Sequence, residues 1–139
     1  MNKFIPKNYK YKKVRKRVRL NKLKDFRTSY LKDFNYGLKV LDNGVIDSTV
    51  LEAARRSITR KLKRVGTLKI NGFPDIPTTS KPVGVRMGKG VGSIESWVFP
   101  LKKGRILFEI KGVSLELAKS ALRSASYKLP VKSKFIHKI

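Results

Sequence analysis

Pro82 to Val98 reads P-V-G-V-R-M-G-K-G-V-G-S-I-E-S-W-V, and the residues after its glycines decide the fold. Glycine lacks a Cβ, so it takes positive φ and lets the backbone come close to a ligand. Arg86 and Lys89 stand among these glycines, which makes that ligand an anion. A nucleotide-binding loop of an α/β protein opens a helix directly after its glycines. Here Ser93-Ile94-Glu95-Ser96-Trp97-Val98 comes next instead, and it reads as a strand. The Walker pattern also needs four residues between its glycines, whereas Gly84 and Gly88 enclose three. A kinase-type glycine loop does lie between strands, but its partner Asp and Asn motifs are missing. The stretch is therefore a basic hairpin tip. Pro82 opens the strand on one side, with Val83, Val85 and Met87 alternating, and Ile94 to Phe99 is the strand on the other.

Outward from this hairpin the pattern is α+β. Gly37 to Leu41 is a short strand closed by the turn Asp42-Asn43-Gly44. Asp47 caps a helix running to about Arg64, and Leu51, Ala54, Ile58, Leu62 and Val65 form its apolar stripe. Gly66 is its natural stop. Thr67 to Gly72 is a strand leading into the rigid turn Phe73-Pro74-Asp75-Ile76-Pro77. Arg105 to Lys111 places Ile106, Phe108 and Ile110 on one face, which predicts a half-buried strand. Ser114 caps a second helix to about Lys128, packed through Ala118, Ala121, Leu122 and Ala125, and Val131 to Ile139 is a last basic strand. The expected architecture is two helices on one face of a mixed, mostly antiparallel sheet, with an extended basic N-terminal arm.

Charge says what such a domain meets. The chain of 139 residues holds 34 Lys and Arg against 9 Asp and Glu, a net charge of +25. That self-repulsion brings a soluble domain little gain unless its partner is a polyanion, and nucleic acid is the leading one, ahead of an acidic membrane surface. Residues 1–24 hold eleven Lys or Arg and no acid. Lys10, Lys12, Lys13, Arg15, Lys16, Arg17 and Arg19 crowd around Tyr11 and Val14, as in an arm that orders on RNA. Residues 25–139 are read as one domain, with the glycine-rich loop at 84–92. On the first helix Arg56, Arg60 and Lys63 oppose the apolar stripe, with Arg64 close by, a face suited to phosphate.

Other function classes are excluded on composition. The absence of cysteine removes disulfides and thiolate chemistry, and one histidine, His137, cannot build a metal site. No apolar run approaches the roughly 18 residues that span a bilayer. The acids are scattered, and Glu95 and Glu109 are expected to be ion partners of nearby cations rather than an acid/base pair. No enzyme activity, cofactor, metal or small-molecule substrate is expected.

Taken in order, further residues resemble a known family. They are Tyr36-Gly37-Leu38-Lys39, Glu52-Ala53-Ala54-Arg55-Arg56-Ser57-Ile58-Thr59-Arg60, Phe73-Pro74-Asp75, Lys81-Pro82, Arg86-Met87-Gly88-Lys89-Gly90 and Trp97-Val98. Gly104-Arg105-Ile106-Leu107-Phe108-Glu109-Ile110 and Lys128-Leu129-Pro130-Val131-Lys132 complete the series. Between about Tyr36 and Phe135 the chain resembles the universal large-subunit ribosomal protein called L sixteen in bacteria and organelles, whose cytosolic eukaryotic counterpart is L ten. The resemblance implies an rRNA-bound structural protein of the large subunit that performs no chemistry. It implies that the arm and the first helix, Arg55 included, hold rRNA. It further implies that Arg86, Met87, Gly88, Lys89 and Gly90 reach toward aminoacyl-tRNA at the A site near the peptidyl transferase centre, with a role in late subunit assembly. The implied partners are large-subunit rRNA, A-site tRNA and neighbouring large-subunit proteins. The family's loop carries a second lysine where Val91 stands, and Lys69, Asn71 and the turn Asp42-Asn43 also depart from its pattern. Those departures fit an organellar copy, mitochondrial first, with a plastid or the bacterial cytoplasm as alternatives. The preference for Lys over Arg of about two to one fits an organelle-encoded or AT-rich bacterial protein.

Overall fold

In a computed structural model the described residues are 4–8, 13, 28–31 and 34–138. Most of the basic arm, including Lys10, Lys12, Arg15, Lys16, Arg17 and Arg19, lies outside them. The element order is β1 (Tyr36–Val40), β2 (Gly44–Asp47), α1 (Ser48–Lys61), β3 (Thr67–Ile70), β4 (Ile76–Ser80), β5 (Ser93–Leu101), β6 (Ile106–Lys111), α2 (Leu115–Ser126) and β7 (Ser133–His137). The fold is α+β, as expected. Its strands divide into two sheets, ordered β3-β6-β1-β7 and β2-β5-β4, with antiparallel ladders throughout.

The division has a local cause. The chain leaves the four-stranded sheet after Val40, returns to it for β3 and again at Ile106, and the exit at Val40 is tied to this last re-entry. Val40 N donates to Arg105 O and Gly104 N to Val40 O, both at 2.8 Å. Lys103 N donates to the Asn43 side-chain oxygen at 2.6 Å. Gly104 takes φ 92° there, a turn conformation that glycine reaches without steric cost.

β6 is the structural axis. Ile106 to Ile110 are all buried, so the strand is covered on both faces rather than half-buried. On one side, α1 and α2 pack on each other, α2 against β1 and β7, and α1 against β2 and β5. The small residues Ala118, Ala121 and Ala125 are fully buried and allow that close helix contact. On the other side lies the segment before β1. Thr28 O accepts from Ile106 N at 2.8 Å, Ser29 O accepts from Lys39 Nζ at 3.1 Å, and Phe34 is buried. A methyl on Gly37 would come within 2.8 Å of Leu31, so a bare strand position admits this cover.

Three expectations need correction. The strand expected from Pro82 is absent: residues 81–92 form a loop, and Val83 and Met87 are 105% and 95% exposed. The pairing strand on this side is β4, which begins in the segment read as a rigid turn, because between residues 73 and 92 it is Ile76 to Ser80 that find ladder partners on β5. The first helix ends at Lys61, since Lys63 and Arg64 adopt φ 48° and 66°, so Val65 leaves the apolar stripe and is 55% exposed.

Gly66 closes this exit with φ +76°, and an added Cβ would sit 2.5 Å from Lys111 O, where β3 begins to pair with β6. Gly66→Ala is expected to lower the urea midpoint by the equivalent of about 2 kcal/mol or more, combining left-handed strain with a backbone clash. Gly84→Ala, at φ +85° with nothing nearby, meets only the conformational cost of about 1 kcal/mol. Equal midpoints for the two variants would contradict this packing.

Candidate nucleic-acid interface

The basic face of α1 is organised by one carboxylate. Glu52 is buried on the second turn, three and four residues before the arginines it holds, the spacing at which helix side chains meet. Arg55 grips it with two nitrogens, Nε to Oε2 at 2.8 Å and Nη2 to Oε1 at 2.7 Å. Arg56 Nε donates to the same Oε1 at 2.8 Å. These hydrogen bonds, Arg55 foremost, hold the Glu52 carboxyl down at about 2 against the opposing effect of burial. The same pair pushes the Arg55 guanidinium up.

The two arginines therefore differ. The Arg55 side chain is 26% exposed and is committed to Glu52, whereas that of Arg56 is 64% exposed and gives Glu52 only its Nε. Arg55 positions the cluster, and Arg56 presents its terminal nitrogens outward. Past the helix end, the left-handed residues Lys63 and Arg64 turn the chain back on itself. Arg55, Arg56, Thr59, Arg60, Lys63 and Arg64 line one shallow concavity. The structure thus brings together all five helix-region residues singled out from the sequence.

A second groove adjoins it between the helices, lined in part by Arg56, Arg60, Lys61, Ser124 and Lys128. Lys61 Nζ donates to Ser120 Oγ across the helix pair at 3.0 Å. Sequence periodicity alone missed Lys61 and Lys128, because their proximity depends on how α2 packs against α1.

The glycine loop is a separate site at the tip of the β4–β5 hairpin. Arg86, Met87, Gly88, Lys89 and Gly90 are all exposed. Gly88, Lys89 and Gly90 take φ 98°, 54° and 91° in succession, and the glycines have open space around them. No packing demands these glycines, so what they supply is the backbone path and close approach. Lys81 Nζ donates to Gly88 O across the loop, and Lys13 Nζ reaches Val91 O at 3.3 Å. At the base, an added Cβ on Gly92 would lie 2.1 Å from Ser80 O. A lysine clamp and a tight neck thus shape a tip of Arg86, Lys89 and exposed apolar side chains.

The expected ionic roles of Glu95 and Glu109 are not found. Among the described residues the ion pairs are those of Glu52. Glu109 is 3% exposed and accepts a hydrogen bond from the Asn71 amide. Asn71 and Lys69 thereby acquire local partners, Lys69 Nζ lying 5.6 Å from the Phe34 ring centre. Among the described residues no group of three or more His, Cys, Asp or Glu could hold a metal, and no helix is long and apolar enough to cross a membrane.

Against this geometry the comparisons are specific. The family described as ribosomal protein L16p/L10e matches residues 6–136. The chain belongs to the L16p/L10e family. The family match begins well before Tyr36 and so takes in the basic arm. Among individual relatives, the large ribosomal subunit protein uL16 of Allorhizobium ampelinum is 52% identical over 104 residues, covering 75% of this chain and 76% of that protein. The protein of the same name from a Chelativorans species is 51% identical with the same coverage.

The clamp on Glu52 has a sign that can be measured. Its carboxyl sits at about 2 when folded against an ordinary 4.5, so the ionised form stabilises the fold above about pH 4.5 and loses that effect as pH falls toward 2. Glu52→Gln is expected to cost on the order of 1–3 kcal/mol at pH 7, with the gap to wild type closing between pH 4.5 and 2. A gap independent of pH in urea titrations would refute the clamp.

Proposed function

We propose that the chain is a structural constituent of the large ribosomal subunit that binds large-subunit rRNA through its arm and through the α1 face, and acts in translation without performing chemistry. The observation that carries this is the concavity of Arg56, Arg60, Lys63 and Arg64 within a chain of the L16p/L10e family. Guanidinium groups fixed on a packed helix suit phosphate oxygens, which they bind in a bidentate manner. In the arm, Lys10, Lys12, Lys13, Arg15, Lys16, Arg17 and Arg19 add phosphate contacts without reading sequence.

The finer reading concerns the loop. Arg86 and Lys89, carried on glycines that need no room for packing, reach toward tRNA at the A site, with Met87 and Val83 as apolar contacts beside them. Neighbouring large-subunit proteins complete the partner set, and the chain takes part in late assembly of the subunit. As to compartment, the bacterial sources of both relatives favour the bacterial cytoplasm, while the mitochondrial reading rests on the departures at Val91, Lys69, Asn71 and Asp42-Asn43.

Sedimentation at high magnesium tests both levels. The wild-type chain is expected in the large-subunit fraction, and recovery wholly as free protein would defeat the proposal. Arg86→Ala with Lys89→Ala is expected to leave the chain in the subunit while weakening A-site tRNA binding several-fold. Loss of this variant from the particle would make the loop an assembly anchor instead.

A further inference from the structure

We infer that His137 is a stacking platform for an unpaired RNA base at the open edge of the four-stranded sheet, an inference that rests on the RNA-binding reading above. Tyr36 is paired with His137, and Leu38 with Phe135, across the β1–β7 ladder. Residues two apart in a strand share a face, so Tyr36, Phe135 and His137 lie on one side. The Tyr36 and Phe135 ring centres are 6.1 Å apart, and those of Phe135 and His137 are 6.2 Å apart, each pair with 22° between planes. Tyr36 and Phe135 are half-buried against the core, whereas His137 is exposed. The ring ladder runs out of the core and stops at an imidazole. Among the described residues that imidazole has no ring partner beyond Phe135 and no hydrogen bond.

Among the described residues the edge beside it is open. β7 is the last strand of its sheet. Lys132 O accepts from Leu41 N, and Lys138 N donates to Asn35 O. Even-numbered residues of β7 therefore bond inward, and the amide and carbonyl of His137 point to the unpaired side. Lys134 stands on the opposite face of β7, Lys138 follows His137 directly, and residues 128–138 contain no acid.

This combination has the chemistry of a single-stranded RNA subsite. A histidine ring is among the surfaces on which splayed-out bases stack, the free backbone groups can meet a base edge, and the lysines neutralise phosphate. An acidic strand added to the edge would use the same amides and lysines, but it would leave the solvent-facing ring without a use. The ring favours a base.

The test is filter binding of the full chain to a large-subunit rRNA transcript over a range of salt, with His137→Ala and His137→Tyr. The alanine variant is expected to bind roughly tenfold more weakly with an unchanged slope of log affinity on log salt, and the tyrosine variant to bind like wild type. Ultraviolet cross-linking of wild type is expected to mark the peptide that contains His137. Wild-type affinity in the alanine variant would overturn the inference. A slope reduced by about 1 would make the imidazole a phosphate contact and would overturn it too. Normal rRNA affinity with poor entry into subunits would assign the edge to a protein neighbour, against the inference. Absence of salt-dependent binding by wild type would instead defeat the RNA-binding reading beneath it.

Discussion

The burial of β6 from both sides is the constraint on which the rest of the molecule depends. Five consecutive residues, Ile106 to Ile110, are buried, so each face of this strand needs its own cover. The helix pair supplies one cover, and Thr28, Leu31 and Phe34 supply the other. Burying a side chain such as Phe108 contributes roughly 1.5–3 kcal/mol, and Leu38, Ile58, Leu107 and Leu122 join it in the same core. The helix pair is thereby fixed in place, and with it the outward face of α1.

That face is where packing meets electrostatics. The chain carries a charge of +25, and among the described residues Glu52 is the carboxylate that pairs with cations. It fixes Arg55 and orients Arg56, leaving the excess charge outside the fold. A fold that neutralises so little of its own charge is complementary to a polyanion. The cluster is also pre-organised: side chains held by hydrogen bonds lose less freedom on binding than solvated ones.

The sequence made the helices legible because their stripes repeat at 3- and 4-residue steps over several turns, as Leu51, Ala54 and Ile58 do. It made the short strands poorly legible. β4 reads I-P-T-T-S, which carries a turn residue and no apolar alternation. Val83, Val85 and Met87 alternate convincingly yet face solvent, since periodicity records apolar side chains and not the ladder partners that make a strand. Four cations of the α1 region, Arg56, Arg60, Lys63 and Arg64, and the loop residues Arg86 and Lys89 were visible from spacing and charge, and Arg55 from the family resemblance. Arg55 being held by Glu52, the left-handed turn at Lys63 and Arg64, and the ring ladder ending at His137 were not, because each depends on tertiary register.

The salt dependence of binding tests most directly whether the α1 face meets rRNA phosphates. Affinity of the wild-type chain for a large-subunit rRNA transcript is predicted to fall steeply with salt, and Arg56→Ala with Arg60→Ala to reduce the slope of log affinity on log salt by about 2. An unchanged slope in the double variant, with the fold intact, would contradict that contact.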